Sequence, residues 1–183
     1  PAGRVKARHV ILAGDALLQG LSARVNRRIM PVANYIVATE PLKDPQALIA
    51  GDLAVTDSRF VVDYFRLTRD GRLLFGGGER YTPRSPPDIG AFVRPYLERT
   101  FPQLAGVPFD HAWGGMVSIT LSRLPHIGRD GPVLFAHGYS GQGAVLSSLA
   151  GKLLAEALEG NAAGLEQFEY VEPPAFPGGR LLS

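Results

Sequence analysis

Three glycines within one short stretch, Gly138, Gly141 and Gly143, are the residues whose type and spacing point most directly to chemistry. They follow an apolar run, Pro132 to Ala136, and precede a long stretch of small and apolar residues from Ala144 to Leu158. That succession predicts a strand, a tight loop filled out by Tyr139, Ser140 and Gln142, and the start of a helix. Glycines let the backbone turn sharply and come close to a ligand because they carry no Cβ. The first amides of a helix have no partner inside it. Together with the positive end of the helix dipole, they favour an anionic or electron-rich group. Glycine-rich strand-to-helix turns also occur as plain tight connections. The order here, G-x-x-G-x-G, is not the G-x-G-x-x-G dinucleotide fingerprint, which no other stretch of the chain supplies.

Other chemistries are narrowed by what the chain contains. It has no cysteine, which excludes disulfides, thiolate metal ligands and a thiol nucleophile. The four histidines, His9, His111, His126 and His137, have neither helical pairing nor a carboxylate spacing that suggests zinc, so no metal site is expected. Charged residues are 20% of the chain, with a net charge of +2 and no basic stripe, which argues against nucleic acid as a partner. A hydrophobic content of 45% suits a folded globular protein. No apolar run reaches the roughly 20 residues that span a bilayer, and the first residues lack a signal-peptide core. The sequence therefore reads as cytoplasmic, with no membrane partner.

The elements that must position the loop alternate in kind. Arg8 to Ala16 reads as a buried strand ending at Gly14, followed by a short helix over Ala16 to Leu21. A β-rich run from Pro31 to Pro41 is bounded by prolines, which donate no ladder hydrogen bond. Val55 to Thr56, Phe60 to Leu67 and Arg72 to Gly76 follow as strands, the last two joined by an Asp70-Gly71 hairpin turn. Gly76-Gly77-Gly78 ends that strand, either for a close backbone approach or for flexibility, with flexibility as the expectation. Asp88 is placed to cap a helix over Ile89 to Phe101, with Phe92, Val93, Tyr96, Leu97 and Phe101 on its core face and a kink expected at Pro95. Phe109 to Thr120 returns to strand, with Gly114-Gly115 inside it marking a bulge or something pressed against the backbone. The last helix carries Val145, Leu146, Leu149, Leu153, Leu154, Ala157 and Leu158 as one apolar stripe and ends at Gly160. Beyond Asn161 a Pro/Gly-rich tail is expected to run over the surface. The fold class is mixed α/β: partial α/β elements at both ends flank a β-rich middle with one or two helices.

Several motifs, in order along the chain, carry a family likeness. His137-Gly-Tyr-Ser-Gly-Gln-Gly143, Leu149 to Glu156, Trp113-Gly-Gly115, Ile119-Thr120, Leu124-Pro-His-Ile-Gly128 and Phe176-Pro-Gly-Gly-Arg180 together resemble the C-terminal half of the FAD-dependent amine and amino-acid oxidoreductases, the relatives of D-amino-acid oxidase, glycine oxidase and sarcosine oxidase. Tyr35 to Leu42, Val62 to Leu67 and Arg72 to Glu79 narrow the resemblance to the γ-glutamylputrescine oxidoreductase type.

The resemblance implies residues 1–29 as a remnant of the FAD domain, 30–128 as a substrate-binding domain, 129–160 as the return to the FAD domain, and 161–183 as a C-terminal tail. It implies FAD contacts at Gly14, Gly115, Gly138, Tyr139, Ser140, Gly141, Gln142 and Gly143, with the helix tip at the N1/C2=O edge of the flavin. Tyr64, Arg66 and Trp113 would line the substrate pocket on strands facing that ring, although Trp113 reads equally as core and Arg66 as a surface charge. The implied reaction is oxidation of a C–N bond of a small-molecule amine to an imine, with no catalytic base assigned; His137 reads as a satisfied polar residue.

Three departures shape these expectations. Without the N-terminal fingerprint, the missing FAD-binding half leaves the isolated chain poorly able to hold FAD or to act, and able to form oligomers through exposed edges. Gln142 stands where many relatives have histidine. The Arg-Pro that clamps a substrate carboxylate in amino-acid-oxidising relatives is absent near Met116 to Thr120, and Ser122 replaces an aspartate, which tilts the substrate toward an amine. The alternative reading is a flavin-free binding or partner subunit on the same fold.

Overall fold

The computed structural model describes residues 3–18, 20–82 and 84–177. The chain adopts a mixed α/β fold that divides into two compact units, one built from the chain up to Pro31 and from Met116 onward, the other from Val32 to Gly115. The Gly178 to Arg180 part of the terminal motif lies outside the described residues.

In the first unit a three-stranded sheet has the order β1-β8-β7, from β1 (Val10–Leu12), β7 (His126–Asp130) and β8 (Val133–His137). β1 runs parallel to β8, and β7 pairs antiparallel with it. The expected helix over Ala16 to Leu21 is instead a 3-10 turn at Asp15–Leu17, followed by α1 (Ala23–Asn26), whose first turn is capped when Ser22 accepts the Val25 N–H. Asp15 has φ +45. A positive φ lies outside the right-handed helical region, and Gly20 at φ +81 stops a helical run before Leu21.

α4 (Gly143–Leu158) follows β8 and buries Ala150 and Leu154 with Ile127, Leu134 and Ala136; its Leu153 is buried as well. Its apolar stripe is only partly covered: Val145 is 76% exposed, Leu149 40% and Leu158 41%. The tail does not simply run over the surface. α5 (Ala163–Tyr170) packs on the same core with Leu165 fully buried. Its short length and mixed face hid it in the sequence.

The second unit is organised on a five-stranded sheet of order β3-β4-β5-β2-β6, from β2 (Met30–Thr39), β3 (Ala54–Thr56), β4 (Tyr64–Leu67), β5 (Leu73–Arg80) and β6 (Phe109–Ile119). α2 (Pro45–Leu48) and α3 (Ile89–Thr100) complete it. The hairpin forms as expected, with Gly71 at φ +80 and Leu67 opposite Leu73. Its first strand begins only at Tyr64, because Asp57 accepts the Arg59 and Asp63 amides and turns the preceding residues into a loop.

Its second strand does not stop at Gly76 but continues to Arg80 through all three glycines. Flexibility is not their reason. A Cβ at Gly76 would lie 2.1 Å from Tyr64 Cζ, one at Gly77 2.8 Å from Asp63 Oδ1, and one at Gly78 2.8 Å from Phe92 Cε1. α3 starts at its Asp88 cap, stays helical through Pro95, and buries Val93 and Leu97 completely. Phe65, Phe75 and Phe101 pack ring against ring on the helix-covered face of the sheet.

Candidate functional site

The glycine loop in the first unit is built by a compact polar cluster. β8 is buried from Leu134 to His137 and delivers Gly138 at φ +71, where a Cβ would meet Thr120 Cγ2 at 2.6 Å. The Gly138 N–H donates to Ser118 Oγ at 2.8 Å and to Asp15 Oδ1 at 2.9 Å, and the Ser118 hydroxyl donates to Asp15. Ser140, at φ +51, donates its N–H to the Ser118 carbonyl at 2.9 Å and accepts the Thr120 N–H on its hydroxyl at 3.2 Å. Gly138 and Ser140 therefore shape the loop, and their polar groups are engaged within the protein. Tyr139 packs on the core, and burial, then the nearby Asp15 charge, raises its phenol pKa.

The far side of the loop is open. Gly141 has φ +93 and no atom within 4 Å of where a Cβ would stand. Gln142 closes the turn by donating its N–H to the Tyr139 carbonyl at 2.9 Å. The first hydrogen bond into α4 is Leu146 N–H to the Gln142 carbonyl at 3.1 Å, so the Gly143, Ala144 and Val145 amides precede the intrahelical ladder. Gly14 starts the Asp15 turn and is exposed. A cavity of about 470 Å³ runs along α4 beside Ile11, Asp15, Tyr139, Gly143, Ser147 and Gly151.

Gly115 lies on β6 in the second unit with open space around it; the close approach belongs to its neighbour Gly114, where a Cβ would stand 2.7 Å from the Tyr35 ring. Tyr64, Arg66 and Trp113 line one cavity of about 330 Å³ in that unit, together with Ile36, Thr56 and Leu74. Strand alternation accounts for the grouping. Thr56 faces Tyr64, Tyr64 faces Gly76, and Gly76 faces Ile36, while Arg66 lies between Ala54 and Leu74. All of these share the face opposite the Phe65–Phe75 cluster. The Tyr64 ring fills the space left by Gly76, its hydroxyl donates to Asn34 Oδ1 at 2.5 Å, and Asn34 Nδ2 donates to the Gly78 carbonyl at 3.3 Å. Burial raises the Tyr64 pKa, so the phenol stays neutral. Arg66 meets Asp52 at 3.1 Å at the rim.

The histidines are less scattered than their sequence positions suggest. His126 and His137 face each other across β7 and β8, both buried, with Nδ1 of His126 2.7 Å from Nε2 of His137. Burial pushes the two pKa values down, to about 3 for His126, with His137 adding to the effect, and to about 4 for His137. His126 Nε2 stands 3.5 Å from Glu172 Oε1, so a carboxylate is near after all. The signal was the Gly131-Pro132 turn: the two histidines are symmetric about it. Asp15, Ser118 and Asn34, which hold the two sites in shape, had no comparable signal, because each acts through contacts distant in sequence. Among the described residues no cluster could hold a metal ion, and no helix is long and apolar enough to cross a membrane.

Comparison with known proteins places the chain in a family of FAD-dependent enzymes. The family model for FAD dependent oxidoreductases matches residues 1–157. The chain is 42% identical to gamma-glutamylputrescine oxidoreductase of Escherichia coli K12 over 98% of its own length and 43% of the relative's. It is 40% identical to a probable oxidoreductase, OrdL, of Rhizobium meliloti over 97% of its length and 42% of that protein. The chain thus spans less than half the length of these curated relatives. Among solved structures, L-proline dehydrogenase from P. horikoshii superposes with TM-score 0.68 at 23% identity over 90% of this chain and 46% of that one. Glycine oxidase from Bacillus cereus gives TM-score 0.67 at 20% identity over 87% and 45%. At these identities the two structures speak for the fold.

Proposed function

Because the chain belongs to the FAD-dependent oxidoreductase family, we propose that it forms the flavin-edge loop and the substrate pocket of an enzyme oxidising the C–N bond of a small amine, within a longer polypeptide. FAD, when bound, supplies the two-electron acceptor for that oxidation. The observation that carries the reading is the open tip of α4. The Gly143, Ala144 and Val145 amides precede the helical ladder, and Gly141 leaves free space before them. Such a donor set suits the electron-rich edge of a flavin, where fixed amides stabilise negative charge without reorganising.

The residues of the loop divide the work. Gly141, Gln142 and Gly143 form its ligand-facing side, while Asp15, Ser118 and Thr120 hold Gly138 and Ser140 so that the amides stay aimed. In the second unit, Tyr64, Arg66 and Trp113 form the amine pocket, largely apolar, with the Tyr64 hydroxyl oxygen able to accept a further hydrogen bond beside the one it donates to Asn34. An apolar wall favours the neutral amine over the ammonium. Loss of a hydride from the carbon beside a neutral nitrogen leaves an iminium and needs no side-chain base, so positioning carries the chain's share of the rate.

The test uses the polypeptide translated from the intact locus, purified and mixed anaerobically with a panel of primary and secondary amines. Flavin absorbance bleached by at least one amine is the expected result. A protein without flavin, or with flavin that no amine reduces, would overturn the reading. Gly141→Val, which places a branched side chain at φ +93 before the helix tip, should slow the bleaching by about tenfold or more.

A further inference from the structure

We infer that the buried histidines set the glycine loop from within: His137 and His126 each carry their proton on Nε2, His137 donates to His126, and His126 turns its own N–H toward Glu172. His126 and Glu172 are thereby positioning residues for Gly138 and Ser140. The inference rests on the flavin-edge reading above only for what the loop faces.

Two imidazoles are a costly choice for this place. Both pack against Phe135, with ring centroids 4.5 and 6.0 Å away, so a leucine or phenylalanine at either position would fill the same space. The pair instead leaves His137 Nδ1 and His126 Nε2 buried without a hydrogen-bond partner among the described residues. Polar atoms left in that state cost stability, so what offsets the cost is a contact that an apolar side chain cannot make. That contact joins the rings, 2.7 Å from His126 Nδ1 to His137 Nε2.

Its direction follows from the surroundings. The rings are neutral, since burial lowers both pKa values, and a neutral imidazole has one N–H and one lone pair. Were the shared proton on His126 Nδ1, the lone pair of His126 Nε2 would face the Glu172 carboxylate at 3.5 Å, and His137 would bury an unpaired N–H at Nδ1. With the proton on His137 Nε2, His126 presents an N–H to the carboxylate, and an unprotonated nitrogen is what stays unpaired. The second arrangement removes the repulsion and leaves the milder defect. Glu172 is itself held, by Arg28 at 2.9 Å and Arg24 at 3.3 Å on the same oxygen. These three charges and Asp15, which lies near His137, bear on the pair, with Glu169 and Arg129 in the cavity of about 290 Å³ that His126 lines.

The pair reaches the loop through the backbone. His137 ends β8, Gly138 follows it, and the His126 amide lies 3.7 Å from where a Cβ at Gly138 would stand. Holding the His137 ring therefore holds the backbone from which the Gly138 N–H meets Ser118 and Asp15. Glu172, in the segment after α5, ties that segment to the loop.

The experiment uses the complete 183-residue chain, labelled with nitrogen-15, at neutral pH. Both rings are expected to show a protonated Nε2 and an unprotonated Nδ1, and Glu172→Ala should let the Nδ1–H forms appear in both together. His126→Leu should speed hydrogen exchange of the Gly138 and Ser140 amides about tenfold, the scale of one hydrogen bond. His126→Asn, whose amide oxygen stands near the place of Nδ1, should restore their protection. A packing role predicts the reverse order, because leucine suits an apolar core better than asparagine.

An Nδ1–H on either ring of the wild-type chain, or loop exchange no faster in His126→Leu than in His126→Asn, would overturn the inference. If His126→Leu does not fold, Glu172→Ala decides, and tautomers unchanged by it would overturn the role of Glu172. In the intact polypeptide His126→Leu should also shift the visible absorbance of the bound flavin, and His126→Asn should not. Faster loop exchange with an unshifted spectrum would uphold the histidine pair and overturn the flavin-edge reading.

Discussion

At the scale of single residues, close contact explains more than chemical type. Gly76 is glycine because the Tyr64 ring occupies the place of its side chain. Gly76→Ala should therefore cost about 1–3 kcal/mol, the range for overpacking a filled site, read as a lower urea midpoint, and should also dislodge Tyr64 from the cavity. An unchanged midpoint would mean the ring is free to move aside.

The buried histidine pair makes a second prediction. Its folded-state pKa values, about 3 and 4, lie below the ordinary 6.5, so the unfolded chain takes up these protons first. The stability tied to the neutral pair is full above pH 6.5 and is lost as pH falls toward the folded values of about 4 and 3. Nitrogen-15 NMR should show both rings still neutral at about pH 5, whereas titration of either near its ordinary value would contradict the buried environment.

At the scale of elements, the sequence was most readable where one local signal sufficed. The Asp70-Gly71 hairpin, the Asp88 cap and the strand-loop-helix around Gly138 to Gly143 each rest on neighbours a few residues apart, and each is present. Elements that depend on distant partners were not readable. α5 owes its place to Leu165 meeting Leu134, Ile127 and Leu154. Leu165→Ala should cost about 2–5 kcal/mol as a core truncation, where a surface tail would show almost no loss. Asp88→Ala should cost about 0.5–2 kcal/mol through the lost bond to the Ala91 amide. Both are measured by chemical denaturation.

At the scale of the whole molecule, the apolar surface of the first unit is the main tension. Val10 and Ile11 on β1 are 47% and 48% exposed, and Val145, Leu149 and Leu158 on α4 add to the same unit's exposed apolar area. Among the described residues β1 pairs with β8 alone in its sheet and presents an open edge. An open, apolar edge strand favours pairing with another copy. Sedimentation of the 183-residue chain should show mass rising with concentration, and Ile11→Lys should suppress it; a monomer at all concentrations would show that this surface is not adhesive.

The tip of α4 is where the sequence motif, the geometry and the family membership meet. A crystal structure of the intact polypeptide with FAD bound tests it most directly. The expected result is the carbonyl edge of the flavin ring within about 2.7–3.2 Å of the Gly143, Ala144 or Val145 amides. A ring bound elsewhere, with those amides facing water or covered by side chains, would contradict it.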